Sequence, residues 1–196
     1  MLVAQIITTI SPLVWLFPVL KQYKGQYGYY FFILAASDPV GTIFLKMHIL
    51  LPHAFHLIFS VALIFAAQAA VSKREIKWEL LLPSLVISLI VGASLPKAPD
   101  RLITAAIQII IFIIILRQTV IFSGKYRYVS FFHILLLTYQ ASLIYKMINL
   151  VLLFQKGSVY FFFTTAFEII LGILFCVFTE KDKRFALNLS KYLSYR

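Results

Sequence analysis

The chain has 196 residues, of which 62% are hydrophobic and 13% charged, with a mean hydropathy of +0.93. That much apolar surface cannot be hidden inside a soluble domain of this length, so its solvent is largely lipid. The net charge of +11 is spread between apolar runs, which argues for membrane topology over nucleic-acid binding, and the single cysteine, Cys176, excludes an intrachain disulfide and a cysteine-rich metal site.

Seven apolar segments are each long enough to cross a bilayer, a task that takes about 20 helical residues. They lie at 2–20, 27–46, 49–71, 79–96, 101–122, 128–153 and 158–179. Spans must be helical because lipid cannot satisfy exposed backbone groups. The expected fold is therefore all-α, a polytopic membrane protein with seven transmembrane helices. The first segment lacks a basic stretch before it and a small-x-small cleavage site after it, so it reads as a retained span and not a signal peptide. Asp38-Pro39 has the form of an N-cap followed by proline at the first helical position. A second span ending there would be too short, so Asp38 is placed inside the second helix, at a kink.

Charge sets the orientation. Most of the 18 basic residues flank one side of the spans, from Lys21 and Lys24 through Lys73, Arg74 and Arg117 to Lys181 and Arg184. Lys46, Lys97, Arg101 and Lys156 fall on the other side, and Lys146 sits within the sixth span. The positive-inside rule makes the first side cytoplasmic, giving an N-out, C-in chain. Tyr27, Tyr29, Tyr30, Tyr126 and Tyr128 then form a cytoplasmic interfacial belt. After 1–179, residues 180–196 make a basic tail, either a loose end behind a stop-transfer cluster or a short amphipathic helix on anionic lipid.

An internal repeat accompanies this pattern. Phe31 to Met47 reads FFILAASDPVGTIFLKM and Phe131 to Met147 reads FFHILLLTYQASLIYKM, pairing Phe31-Phe32 with Phe131-Phe132 and Lys46-Met47 with Lys146-Met147. The first helix also ends in Phe17-Pro18-Val19-Leu20-Lys21-Gln22-Tyr23-Lys24-Gly25. This proline-bearing end with its basic turn resembles the first helix of the SWEET/PQ-loop transporter superfamily. Val19 follows Pro18 where the PQ-loop branch has glutamine, and Gln118 stands where Pro18 would repeat. The resemblance implies two parallel three-helix bundles, 1–71 and 101–179, joined by a linker helix at 79–96. It also implies a solute site between the bundles.

Among the polar residues, Asp38 and Glu168 are the two acidic ones near the middle of spans. An ionised, unpaired carboxylate there is costly, so each must be protonated, paired or hydrated, as a proton carrier or as a helix-to-helix hydrogen bond. Lys146 and Lys46 either flank an outer vestibule that attracts an anionic solute or snorkel to the headgroups. Gln140 and Asn149 are costly to leave unpaired, with Gln108, Ser60, Ser142, Thr164 and Thr165 as further polar positions that line a path or link helices. His53 and His56 share a helical face and suit outer-mouth pH sensing. A zinc site there would need a third ligand such as Asp38 or His133, and no metal or other cofactor is expected.

The leading functional expectation is a small-solute transporter in a bacterial inner membrane, with Asp38, Gln140, Lys146 and Glu168 contacting solute or proton. Two alternatives stay open. One is a non-catalytic subunit or receptor that binds lipid or a membrane-protein partner, itself included. The other is an intramembrane lipid-modifying enzyme using Asp38, His56 and Glu168.

Overall fold

The computed structural model describes residues 2–47, 52–72, 76–152, 158–180, 182 and 187–188. Among them are seven α-helices: α1 (Leu2–Gln22), α2 (Gly28–Lys46), α3 (Pro52–Ser72), α4 (Trp78–Ser94), α5 (Lys97–Tyr126), α6 (Phe131–Leu152) and α7 (Ser158–Val177). Ala54–Ser72, Arg101–Tyr126 and Phe131–Asn149 are long and apolar enough to cross a membrane, and Trp78–Ser94 and Phe163–Val177 are shorter apolar helices. The chain is predominantly helical, with large apolar side chains facing outward, for example Leu82, Ile87 and Ile90 on α4 and Ile113 and Val120 on α5. Such surface suits lipid.

Six of these helices form a ring. α1 packs on α2, α2 on α3, α3 on α5, α5 on α6, α6 on α7, and α7 returns to α1, while α4 packs on α3 outside the ring. Small residues make two of these approaches possible. A Cβ on Gly92 would lie 2.8 Å from Ala54, so α4 sits directly against the first turn of α3. A Cβ on Gly41 would meet the Phe55 ring, so α2 and α3 close tightly at that level. The hydroxyls of α4 are absorbed by its own backbone, since Ser84, Ser88 and Ser94 each donate to the carbonyl four residues earlier. These three hydroxyls therefore need no partner outside α4.

The α4–α5 connection is only Leu95-Pro96, and α5 is longer than the apolar run predicts, starting before 101 and continuing past 122. Its 30 residues span roughly 45 Å, more than a ~30 Å hydrocarbon core. Arg117 and Lys125 lie in its C-terminal part. This end, with the α1–α2 turn and the C-termini of α3 and α7, is called the lower end below. α5 stops at Arg127, which takes a left-handed conformation (φ 56°). Two short strands depart from the all-helical expectation: β1 (Tyr128–Val129) pairs antiparallel with β2 (Leu187–Asn188), so the tail returns to the α5–α6 connection. Lys181 and Arg184 lie outside the described residues.

Burial corrects two readings. Tyr27 and Tyr30 are not interfacial; both are sealed in the core, whereas Tyr29 and Tyr126 are exposed as a belt requires. The pairing of Phe31-Phe32 with Phe131-Phe132 also fails in detail. Phe32 is 60% exposed and Phe132 only 1%, while Phe31 and Phe132 are both buried and pack on each other. The buried faces align when Phe31, Leu34 and Ala35 are set against Phe132, Leu135 and Leu136. One residue of slip rotates a helix by about 100°, and identical letters do not record that rotation.

Candidate functional site: an axial cavity above a buried polar layer

A cavity of about 150 Å³ lies inside the ring and touches all six ring helices: Ser11 and Trp15 on α1, Ser37 on α2, His56 and Ser60 on α3, Gln108 on α5, Tyr139 and Lys146 on α6, and Glu168 on α7. It runs from the exposed His56 to the buried Ser60 and Gln108. Trp15 and Tyr139 pack in a tilted pair at its base with ring centroids 4.7 Å apart.

On its wall, Lys146 Nζ donates to both carboxylate oxygens of Glu168 at 3.1 Å. The glutamate side chain is 10% exposed and the lysine 22%, so the pair is withdrawn from solvent without being sealed. The buried acid is therefore charge-paired, one of the options that its burial demands. Lys146 therefore reaches the cavity as an ammonium already paired with a carboxylate.

Below the cavity four helices share one hydrogen-bonded chain. The Tyr30 hydroxyl donates to Gln140 Oε1 at 2.7 Å, the Gln140 amide donates to Gln108 Oε1, and Gln108 Nε2 donates to Ser60 Oγ at 2.7 Å. Gln140 Nε2 also reaches the Gln108 backbone carbonyl at 3.2 Å. Both amides use both of their ends, so this buried layer is satisfied and links α2, α6, α5 and α3. Gln140 itself is fully buried and does not line the cavity; Gln108 and Ser60 present the layer to it.

Beneath the layer Phe31, Phe132 and Phe175 close the axis, with Phe31 and Phe175 centroids 4.9 Å apart. Still lower, a second polar group is unpaired. Among the described residues, Tyr27 Oη, Ser123 Oγ, Ser130 Oγ and both ring nitrogens of His133 are buried without a hydrogen-bond partner. His133 stacks on Phe122 (4.7 Å) and meets Tyr27 edge-on (6.1 Å). Phe122 in turn lines a vestibule of about 780 Å³ at the lower end. On the opposite flank of that end, Gln22 Nε2 donates to the carbonyls of Phe175 and Phe178, closing α1 against α7.

The expected site residues divide accordingly. Lys146, Glu168 and His56 meet at one cavity, and Gln140 lies one hydrogen bond behind it. Asp38 lies within α2 and His53 within α3, but their side chains, like that of Lys46, lie outside the described residues. His133 is thirteen residues from Lys146 along α6, roughly 20 Å, and belongs to the lower group instead of to a histidine cluster with His56. Sequence reading missed Ser11, Ser37 and the aromatic walls Trp15, Tyr139 and Phe55. The two serines carried a signal as polar residues within apolar runs, whereas the aromatics carried none in a chain so rich in them. Comparison of the chain with known proteins found no matching family model, no matching curated protein and no matching solved structure.

Proposed function

We propose that this chain is a small-solute membrane transporter of the SWEET/PQ-loop type, spanning a bacterial inner membrane seven times, N-out and C-in. In this reading α1–α3 and α5–α7 are two parallel bundles, α4 is the linker, and solute is taken between the bundles. The observation that carries the proposal is the axial cavity touched by every ring helix above a closed plug, with a separate vestibule at the opposite end. The packing scheme adds support. Exchanging α1, α2 and α3 with α5, α6 and α7 converts each ring contact into another contact of the ring, and α4 alone has no counterpart. A two-bundle rocking mechanism needs that exchange relation.

The cavity limits the solute. About 150 Å³ equals the liquid volume of roughly five waters and lies below the ~300–1,000 Å³ of drug-sized sites. The Lys146–Glu168 pair offers such a solute one donor and one acceptor, Ser60 and Gln108 supply neutral hydrogen bonds, and Trp15 and Tyr139 supply apolar faces. Proton linkage enters through Glu168, whose salt bridge and protonation are mutually exclusive.

The test is a melting-temperature screen of the detergent-purified protein against small metabolites, since a ligand of the folded state raises stability by mass action. Uptake of the hit into proteoliposomes then follows. Glu168→Gln should abolish uptake with the helical fold retained. Undiminished uptake by that variant would remove Glu168 from the mechanism. The second reading, a non-transporting lipid- or protein-binding subunit, draws on a lateral apolar groove outside the ring. It predicts no solute hit and stable co-purification of its ligand.

A further inference from the structure

The lower end carries two cavities that meet at one turn. The first is an apolar groove of about 880 Å³ on the outside of the ring, between α2 and α4 and floored by α3. Phe32 and Ile33 form one wall, Leu81 and Leu85 the other, and Trp78 closes its lower rim. It exists because α4 packs chiefly on α3, leaving the α2 side of α4 largely uncovered. The second is the vestibule of about 780 Å³, where Lys24 from the α1–α2 turn faces Arg117 and Lys125 from α5 across Tyr126 and Tyr128. Lys24, Gly25 and Gln26 line both cavities. Among the described lining residues Glu180 is the one acid, against those three cations.

The geometry points to a binding site for an anionic phospholipid, its acyl chain in the α2–α4 groove and its phosphate headgroup in the Lys24–Arg117–Lys125 vestibule. The positive-inside rule accounts for basic residues at this end, but not for their convergence from segments far apart in sequence onto one cavity beside an apolar slot. Above the Lys24–Gln26 turn the groove is lined by apolar side chains, so an acyl chain enters that part without desolvating a polar side chain. A planar guanidinium beside two ammonium groups matches a phosphodiester. Lys24 also lies over the Tyr23 ring, 5.2 Å from its centroid, which holds the ammonium at the junction of the two cavities. This site is separate from the axial cavity and is independent of the transport reading.

Retention of lipid by the delipidated full-length protein, measured by native mass spectrometry, tests the assignment. Phosphatidylglycerol and phosphatidylcholine of identical chains are offered in equal amounts. Wild type should retain phosphatidylglycerol on the order of tenfold better, given the contribution of two or three basic residues at an anionic headgroup. Lys24→Gln/Arg117→Gln should bring the ratio near one. Lys21→Gln, an exposed lysine outside both linings, should leave it unchanged. Leu85→Trp, which fills the groove, should lower retention of both lipids. Equal retention of the two lipids by wild type overturns the proposal, as does a Lys21→Gln effect equal to that of the double variant. Displacement of bound phosphatidylglycerol by millimolar glycerol 3-phosphate would also overturn it, because the vestibule would then serve a soluble phosphate ester. The wild-type arms decide the matter even where a variant fails to fold.

Discussion

Two buried polar groups sit on the axis of the same helix ring, seven residues apart along α6 and separated by roughly 10 Å. The upper one, centred on Gln140, is satisfied: Tyr30, Gln140, Gln108 and Ser60 form an unbroken donor-to-acceptor chain. The lower one, centred on His133, is not: five polar atoms of four side chains are buried without a partner among the described residues. A buried polar group left unpaired costs about 1–3 kcal/mol, whereas a paired one contributes only about 1 kcal/mol net. The upper layer therefore fixes the register of four helices, and the lower group is a standing cost. Proteins tolerate such costs where a moving part or a passing ligand needs polar surface. The contrast puts the rigid partition of the axis at Gln140 and its adaptable section below, beside the vestibule.

Breaking the ion pair above the layer should have the largest effect. Lys146→Met removes the paired ammonium from a carboxylate that is nine-tenths withdrawn from solvent. Removing one partner of a fully buried pair costs about 3–5 kcal/mol, and the partial exposure of this lysine brings the expected loss to about 2–3 kcal/mol. Adding Glu168→Gln should restore most of it, because a neutral pair leaves no unbalanced charge. A double-mutant cycle on melting in detergent reads the coupling. Additive losses would mean that Glu168 finds another counter-charge.

The layer itself comes next. Gln140→Leu removes the acceptor of Tyr30 and the donor to Gln108 together, for an expected loss of about 2 kcal/mol. Tyr30→Phe alone should cost about 1 kcal/mol and much less in the Gln140→Leu background, because the hydroxyl is then already unpaired. Equal costs in both backgrounds would show that the chain of bonds does not act as a unit.

Helix positions were legible in the sequence because a lipid solvent leaves so few alternatives: long apolar runs broken by basic turns predict the helices to within about five residues. Rotation about each axis was less legible. Phe32 and Phe132 occupy equivalent letters and opposite environments, since in a chain apolar on all sides hydrophobicity no longer marks the inward face. The site was half legible for the same reason. A carboxylate at mid-span announces itself, so Glu168 was found, as was its neighbour Lys146. That the two meet depends on the packing of α6 against α7, which no spacing encodes. Tyr30 was misplaced in an interfacial belt because tyrosines near basic turns are common there, and only the position of Gln140 on another helix explains its burial.

His133 offers the smallest effect and the opposite sign. Its ring is already packed among apolar faces, stacked on Phe122 and edge-on to Phe132 and Tyr27, so phenylalanine fits the same volume. His133→Phe removes two buried nitrogens that have no partner among the described residues and should raise stability by about 1 kcal/mol, a few degrees in melting temperature for a chain of this size. The same change at Gln140 is expected to destabilise, so the pair of substitutions tests the contrast directly. If His133→Phe lowers the melting temperature, the imidazole is bonded in the membrane-embedded protein and the lower group is as satisfied as the upper. If it raises the melting temperature while slowing uptake of an identified solute, the unpaired nitrogens are a stability cost retained for movement along the axis.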